Sequence, residues 1–352
     1  MSGHVVDRLD LTGLPRDCKL PLLVEIFHDG LGQPVHLPVM VARGKRPGPV
    51  FGITAALHGN ELNGIPVIHR LFEQLDTKAL RGTVVAVVAV NVPGVLLHQR
   101  QFGDGSDLNH IFPGREDGAV GEVFAYRLLD RVVRHCDSML DLHTASFGRV
   151  NSLYVRADMT HQPTAALAYL LRPQIIVHNP PSDRTLRGAA AELGIPAITV
   201  EIGDPNRFQP NYVKTTLVGV RAVLGEMHML PKRVVAFGPE PLLCERSYWL
   251  YADHGGLMEV FPRVTDRVAA GQTVASLRDI FGEVVREYVA PEAGVVVGRS
   301  VNPVGQTGAR ILHLGVPASR EEMGAFHWRE TRPDHEGGGD GDDGGDEEEG
   351  PG

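Results

Sequence analysis

Residues 51–71 read FGITAALHGNELNGIPVIHRL, and the way this stretch changes texture points to the fold. Its first half is apolar like a buried strand, polar groups enter at His58, and a helix is expected to start near Glu61. A strand that ends in a polar turn and feeds a helix is the repeating unit of sheets covered by helices. The carboxyl edge of such a sheet is where open α/β folds build their sites. A His at the strand end and a Glu three residues on can grip one ion from two sides, because imidazole nitrogen and carboxylate oxygen are both suitable zinc ligands. Spacing alone is weak. With 16 histidines in the chain, about one such pair arises by chance at ordinary composition, and His327 with Glu330 has the same spacing without a strand before it. Context separates the two pairs.

Outward from this stretch, strand-type and helix-type segments alternate over roughly the first 230 residues, which predicts helices packed on a largely parallel sheet. Strands are expected at Val50 to Leu57, Thr83 to Val90, Ser138 to Leu142 and Ala197 to Val200. Val120, Val123, Phe124, Leu128 and Val132 recur at three- and four-residue spacing, the mark of a helix with one apolar face. Arg184 to Leu193 before Gly194, and Thr216 to Leu230 before Pro231, read as helices with stop signals. After Pro231 the runs shorten, Gly and Pro punctuate them, and helical periodicity disappears. The expected organisation is a catalytic domain over 1–231, an all-β domain over 232–316, a linker over 317–333 and an acidic Gly-rich tail over 334–352. The tail has no apolar surface to bury and is expected to be disordered.

The chain has 352 residues and a formal net charge of -9, from 34 basic and 43 acidic residues. Nine of the acids lie in the tail, so the remainder balances at 34 against 34. No basic surplus points to nucleic acid or an anionic membrane. Cys18, Cys136 and Cys244 are far apart without CxxC spacing, which argues against a disulfide framework or thiolate metal site and fits a reducing compartment. Neither a leader nor a membrane span is expected, so the protein is read as cytoplasmic. A dinucleotide loop (GxGxxG) between strand and helix is missing, the spacing occurring only at Gly339, Gly341 and Gly344 of the acidic tail, and phosphate-loop (GxxxxGK[ST]) and nucleophile-elbow (GxSxG) motifs are missing as well.

Two further strand ends carry polar groups: His143 after SMLDL, with Asp141 close by, and Glu201 after PAITV. Two histidines and one Glu would hold zinc with a position left open for water, and a second Glu outside the ligand set would serve as base. HGNE at 58–61, DLNHIFPG at 107–114, DLHT at 141–144 and VEIG at 200–203 together resemble the succinylglutamate desuccinylase/aspartoacylase family, a branch of the zinc carboxypeptidase superfamily. The resemblance runs over roughly residues 20–316. It implies a carboxypeptidase-like α/β fold with a mostly parallel sheet flanked by helices, followed by a smaller all-β, barrel-sandwich-like domain.

It also implies one zinc ion per chain held by His58, Glu61 and His143, Glu201 as general base on the metal-bound water, and Arg100 polarising the scissile carbonyl. Asn109 corresponds to a residue that helps hold the substrate carboxylate. The implied reaction is deacylation of a small N-acyl amino acid; a carboxypeptidase on peptide C-termini and a catalytically inactive metal-binding relative are the alternatives. A homo-oligomer stays open.

The chain departs from the family pattern at one place. The pattern reads DLNR, and His110 stands where an Arg would grip a carboxylate with two parallel charged hydrogen bonds. The carboxylate is then held by Arg149 or Arg187, or the substrate presents another group to His110. The C-terminal region also resembles lipoyl and biotinyl carrier modules, but these need a lysine at a hairpin tip. The last lysine here is Lys232, so a swinging-arm role is excluded.

Overall fold

The computed structural model describes residues 3–182, 184–232 and 239–319. The acidic tail, most of the expected linker, and the pair His327 and Glu330 lie outside the described residues. The chain opens with β1 (His4–Val6), β2 (Cys18–His28), β3 (Pro34–Arg43) and β4 (Arg46–Ala55). Strands β5 (Arg81–Val87), β6 (Ser138–His143), the short β7 (Arg149–Asn151), β8 (Leu153–Ala157), β9 (Ile175–His178) and β10 (Ala197–Ile202) follow. Six α-helices lie among them: α1 (Gly64–Gln74), α2 (Val92–Leu96), α3 (Val120–Arg131), α4 (Gln162–Leu170), α5 (Leu186–Glu192) and α6 (Pro210–Glu226). The C-terminal part is β11 (Leu242–Tyr251), β12 (Gly256–Val260), β13 (Arg267–Val268), β14 (Thr273–Arg278), β15 (Val284–Val289), β16 (Gly294–Ser300), β17 (Val304–Gly305) and β18 (Arg310–Pro317).

The fold is α/β, as expected, with a large mixed sheet in the order β1-β2-β3-β5-β4-β6-β10-β8-β9-β11-β18-β16-β13. Its centre is parallel: β5, β4, β6 and β10 run side by side in one direction. Every residue of β6 and β10 is buried, which is why these segments read as unbroken apolar runs. Side chains alternate between two cores. Leu140 and Ile198 meet Val67 of α1 and Val220 of α6 on one face. Met139 and Ala197 share the other with Phe124 of α3 and Leu186 of α5.

Two helix starts differ from expectation. The helix after His58 begins at Gly64, because residues 58–63 first form a turn closed by the Glu61 amide on the His58 carbonyl (3.0 Å). The helix expected from Thr216 begins at Pro210, where a proline at the first turn needs no donor partner.

β11 pairs in parallel with β9, so the main sheet continues into the C-terminal part. Tyr154, Ile175, Val177, Cys244, Val295 and Val297 form a core across that junction. Beyond it, the sheet β15-β14-β12-β17 packs on β16 and β18 through Val274, Leu277, Val296, Ile311 and Leu314. Cys136 and Cys244 are buried packing residues, and burial pushes both thiols up to about 12. Among the described residues no helix is long and apolar enough to cross a membrane.

Candidate active site

The parallel register sets Glu201 of β10 beside His143 of β6, and Ala55 of β4 beside Leu142. Three polar strand ends thus meet at one edge. Between β4 and His58 the chain turns through Ala56, whose φ of 52° is in the left-handed region, a conformation that costs a non-glycine residue about 1–3 kcal/mol. That turn brings His58 and Glu61 back over the sheet. His58 Nδ1 lies 3.0 Å from Glu61 Oε1, and His143 Nδ1 lies 2.9 Å from Glu61 Oε2. One ligand atom from each of the three residues falls within 4.8 Å of the others, all three side chains being buried.

The remaining ring nitrogens are held by carboxylates. Asp107 Oδ1 lies 3.1 Å from His58 Nε2, and Asp141 Oδ2 lies 2.7 Å from His143 Nε2. Thr54 Oγ1 donates to the other oxygen of Asp141. Carboxylates behind imidazoles fix ring orientation and raise the basicity of the nitrogens that face a metal. Burial opposes charge on Glu61, yet His58 and His143 outweigh it and hold the carboxyl well below its usual range. Burial likewise opposes charge on His143, but Asp141 and Glu61 drive its pKa well above the usual value. The cluster therefore favours positive charge at its centre. Arg100 responds to this: one guanidinium nitrogen sits 3.1 Å from Glu61 Oε1, 3.2 Å from His58 Nδ1 and 2.7 Å from Ser146 Oγ. Two converging nitrogens and a carboxylate suit a divalent ion of the zinc type, so the donor set fits.

Glu201 is buried, and burial is the main reason its pKa is raised. Asn151 Nδ2 donates to its Oε2 (3.2 Å), and Arg156 lies 3.7 Å from its Oε1. Arg156 in turn donates to the buried Tyr154 hydroxyl. Asn109 Oδ1 accepts the Leu186 amide at the start of α5. His110 is 73% exposed and stands 3.8 Å from Asp107. Arg187 is buried, and its two terminal nitrogens donate to Asn179 and the Pro180 carbonyl. Burial, then the neighbouring Arg156 charge, lowers its pKa to about 10. Arg149 is half-buried on β7, with its guanidinium over the Trp249 ring. A cavity of about 830 Å³ lined by Leu170, Tyr212, Val218 and Leu242 touches none of these residues.

Sequence reading missed Asp107, Ser146, Asn151, Tyr154 and Arg156. Asp107 was visible as the first letter of DLNH. It also accepts Arg100 Nε (2.9 Å) and the Asn109 amide (3.1 Å), so it orients three candidate residues at once. The others depend on strand pairing that their own short segments do not signal.

A sheet edge that gathers a His–Glu–His donor set and a second buried carboxylate defines an α/β protein with a candidate metal centre at the end of its parallel strands. The model of the succinylglutamate desuccinylase/aspartoacylase catalytic domain matches residues 47–227, and the chain belongs to that family. It is 28% identical over 284 residues to the N-alpha-acetyl-L-2,4-diaminobutyric acid deacetylase of Halomonas elongata, covering 75% of this chain and 81% of that one. A succinylglutamate desuccinylase of Pseudomonas paraeruginosa is 28% identical over 173 residues, 45% of this chain and 52% of that one.

Among solved structures, the product-bound ectoine utilization protein EutE (DoeB) of Ruegeria pomeroyi superposes with a TM-score of 0.78 at 23% identity. The match covers 86% of this chain and 98% of that one. A succinylglutamate desuccinylase/aspartoacylase from Rhodobacter sphaeroides gives 0.79 at 20% identity, covering 90% and 99%. These two likenesses speak to the fold.

Proposed function

We propose that the protein is a zinc-dependent deacylase that hydrolyses the amide bond of a small N-acyl amino acid. The observation that carries this reading is the convergence of His58, Glu61 and His143 beside the buried Glu201, in a chain whose relatives include deacylating enzymes. His58 Nδ1, Glu61 and His143 Nδ1 would hold the ion. A bound zinc ion supplies Lewis acidity, which polarises a carbonyl oxygen and acidifies water. Glu201 accepts the proton of the attacking water and hands it to the leaving amine. Its raised pKa makes it a stronger base than an exposed carboxylate, and the Arg156 charge opposes its neutralisation. Arg100, anchored by Asp107 through Nε and by Glu61 and Ser146 through one terminal nitrogen, has its second terminal nitrogen left for the carbonyl oxygen as negative charge builds there.

The test is amine release from N-acetyl-L-2,4-diaminobutyrate, N-succinyl-L-glutamate, other N-acetyl and N-formyl amino acids, and short peptides. Metal content is measured alongside. Release from one acyl class with one zinc per chain is expected. Release only from peptide C-termini would move the protein to a carboxypeptidase, and silence at full zinc would overturn the deacylase reading.

Asp141→Asn is expected to weaken zinc binding by about 10–100-fold, the usual cost of losing a carboxylate behind a ligand histidine. Competition with a chelator measures it, and unchanged affinity would mean that Asp141 serves the strand and not the metal. Gly298 offers a probe from the C-terminal part. It pairs with Asn151 across β16 and β7, and a β-carbon there would lie 2.3 Å from Asn151 Oδ1. Gly298→Ala is expected to displace Asn151 from Glu201 and lower kcat by about 10–100-fold, the worth of one hydrogen bond to a charged group. Zinc content should stay constant; unchanged kcat would show that Asn151 does not position the base.

A further inference from the structure

With an exposed histidine at position 110 and both terminal nitrogens of Arg187 donating to Asn179 and Pro180, two guanidiniums beside Trp249 stand out. Arg149 and Arg310 approach the same indole, their Cζ atoms 5.7 and 5.5 Å from the Trp249 ring centroid. Among the described residues, neither has a carboxylate within ion-pair distance. Burial and then the Arg310 charge lower the pKa of Arg149, so the two cations oppose each other. An anion between them would relieve both. The indole is itself fixed, stacked on the buried His313 ring at 5.0 Å and 12°, and His313 meets Tyr154 edge-on.

The position of this pair gives it a use. Arg149 is two residues before Asn151 on β7, so the two side chains share a face of the strand, and Asn151 donates to Glu201. The Arg149 amide donates to the Ser146 carbonyl (3.2 Å), and Ser146 Oγ touches both Glu61 and Arg100. Arg149 is thus tied to the donor set on one side and to the base on the other. Arg310 and Trp249 come from β18 and β11 of the C-terminal part.

We infer that Arg149 and Arg310, both held against Trp249, form the subsite for the substrate's carboxylate, so that the C-terminal β part supplies a specificity residue. The inference rests on the deacylase reading and names the substrate class: an N-acyl compound with a free carboxylate. Two planar forks each offer a pair of parallel charged hydrogen bonds to such a group. The carboxylate belongs either to the amino acid or to a dicarboxylic acyl group, and the chemistry of recognition is the same.

Each panel member that is turned over is assayed beside the analogue in which one carboxylate is a carboxamide, with the amino-acid and acyl carboxylates replaced separately. Zinc-loaded full-length wild type, Arg149→Gln, Arg310→Gln and the double variant are compared; Arg310 is exposed, so its variant keeps the fold. The expected result is a KM about 10–100-fold higher in each single variant on the carboxylate substrate, with kcat little changed. Wild-type preference for carboxylate over carboxamide should collapse in the double variant, and the analogue that removes it identifies which carboxylate is bound. Equal handling of carboxylate and carboxamide by wild type, or an intact preference in the double variant, overturns the inference and leaves the deacylase reading standing. If the zinc-loaded wild type is silent across the panel, that reading falls instead. Calorimetry with N-acetyl-L-alanine and N-acetyl-L-alaninamide then decides the subsite alone, since equal binding of the two overturns it.

Discussion

Replacing Glu201 with glutamine is expected to cut turnover by about a hundred- to ten-thousand-fold, equivalent to about 3–5 kcal/mol of transition-state stabilisation, while one zinc per chain stays bound. Glutamine has nearly the same shape, and its amide oxygen can still accept from Asn151 Nδ2, which lies 3.2 Å from Glu201 Oε2 in the native chain. What it loses is the ability to take a proton. Glu201 lies outside the set of three residues whose ligand atoms converge, so metal content should not follow activity down. Single-turnover rates and metal analysis on the same preparation make the test, and turnover within a factor of a few of wild type would remove Glu201 as the base.

His143→Ala is expected to abolish both zinc binding and turnover, and to destabilise the fold by about 3–5 kcal/mol, the cost of breaking a buried ion pair by removing one partner. The loss strips a partner from two buried carboxylates at once, Asp141 at 2.7 Å and Glu61 at 2.9 Å. Arg100 still pairs with Glu61, which limits the damage on that side. Denaturant unfolding in the presence of a chelator reads the stability change without a contribution from metal, and zinc titration of the folded variant reads the affinity. A folded His143→Ala protein that binds zinc as wild type does would exclude His143 from the ligand set.

The two changes are expected to separate the parts of the site: one would remove the base and keep the ion, the other would remove the ion. The substrate side behaves differently again. His110, singled out because it departs from the family pattern, stands exposed beside Asp107. Its neighbours Asp107 and Asn109 carry the structure there, one behind His58 and the other under the start of α5. The departure at position 110 therefore leaves the arrangement around Glu61 intact. Recognition of the substrate shifts from a question about one loop to a question about how β7 meets the C-terminal strands.

The strand ends and the candidate ligand residues were legible in the sequence for a physical reason. Central parallel strands are buried on both faces, so they appear as unbroken apolar runs, and a polar group at the end of such a run marks the edge where sites form. His58, Glu61, His143 and Glu201 all follow runs of that kind. Charge accounting over the chain, the spacing of the cysteines and the absence of a late lysine likewise needed no structure.

Other residues were decided only by the tertiary fold, because their roles depend on which strands become neighbours. Arg156 and Tyr154 reach Glu201 because β8 joins β10 antiparallel in one register. Asn151 reaches it because β7 leaves the catalytic sheet order and pairs with β16, some 150 positions along the chain. Arg187 and Arg149 look alike as arginines near a site, yet one gives its terminal nitrogens to Asn179 and Pro180 while the other stacks over Trp249. The sequence by itself determined which polar residues lie at the ends of buried strands, since burial pattern and residue type are local properties. The partner of each side chain is a property of strand order and register, set by contacts between distant segments, and only the tertiary structure decided it.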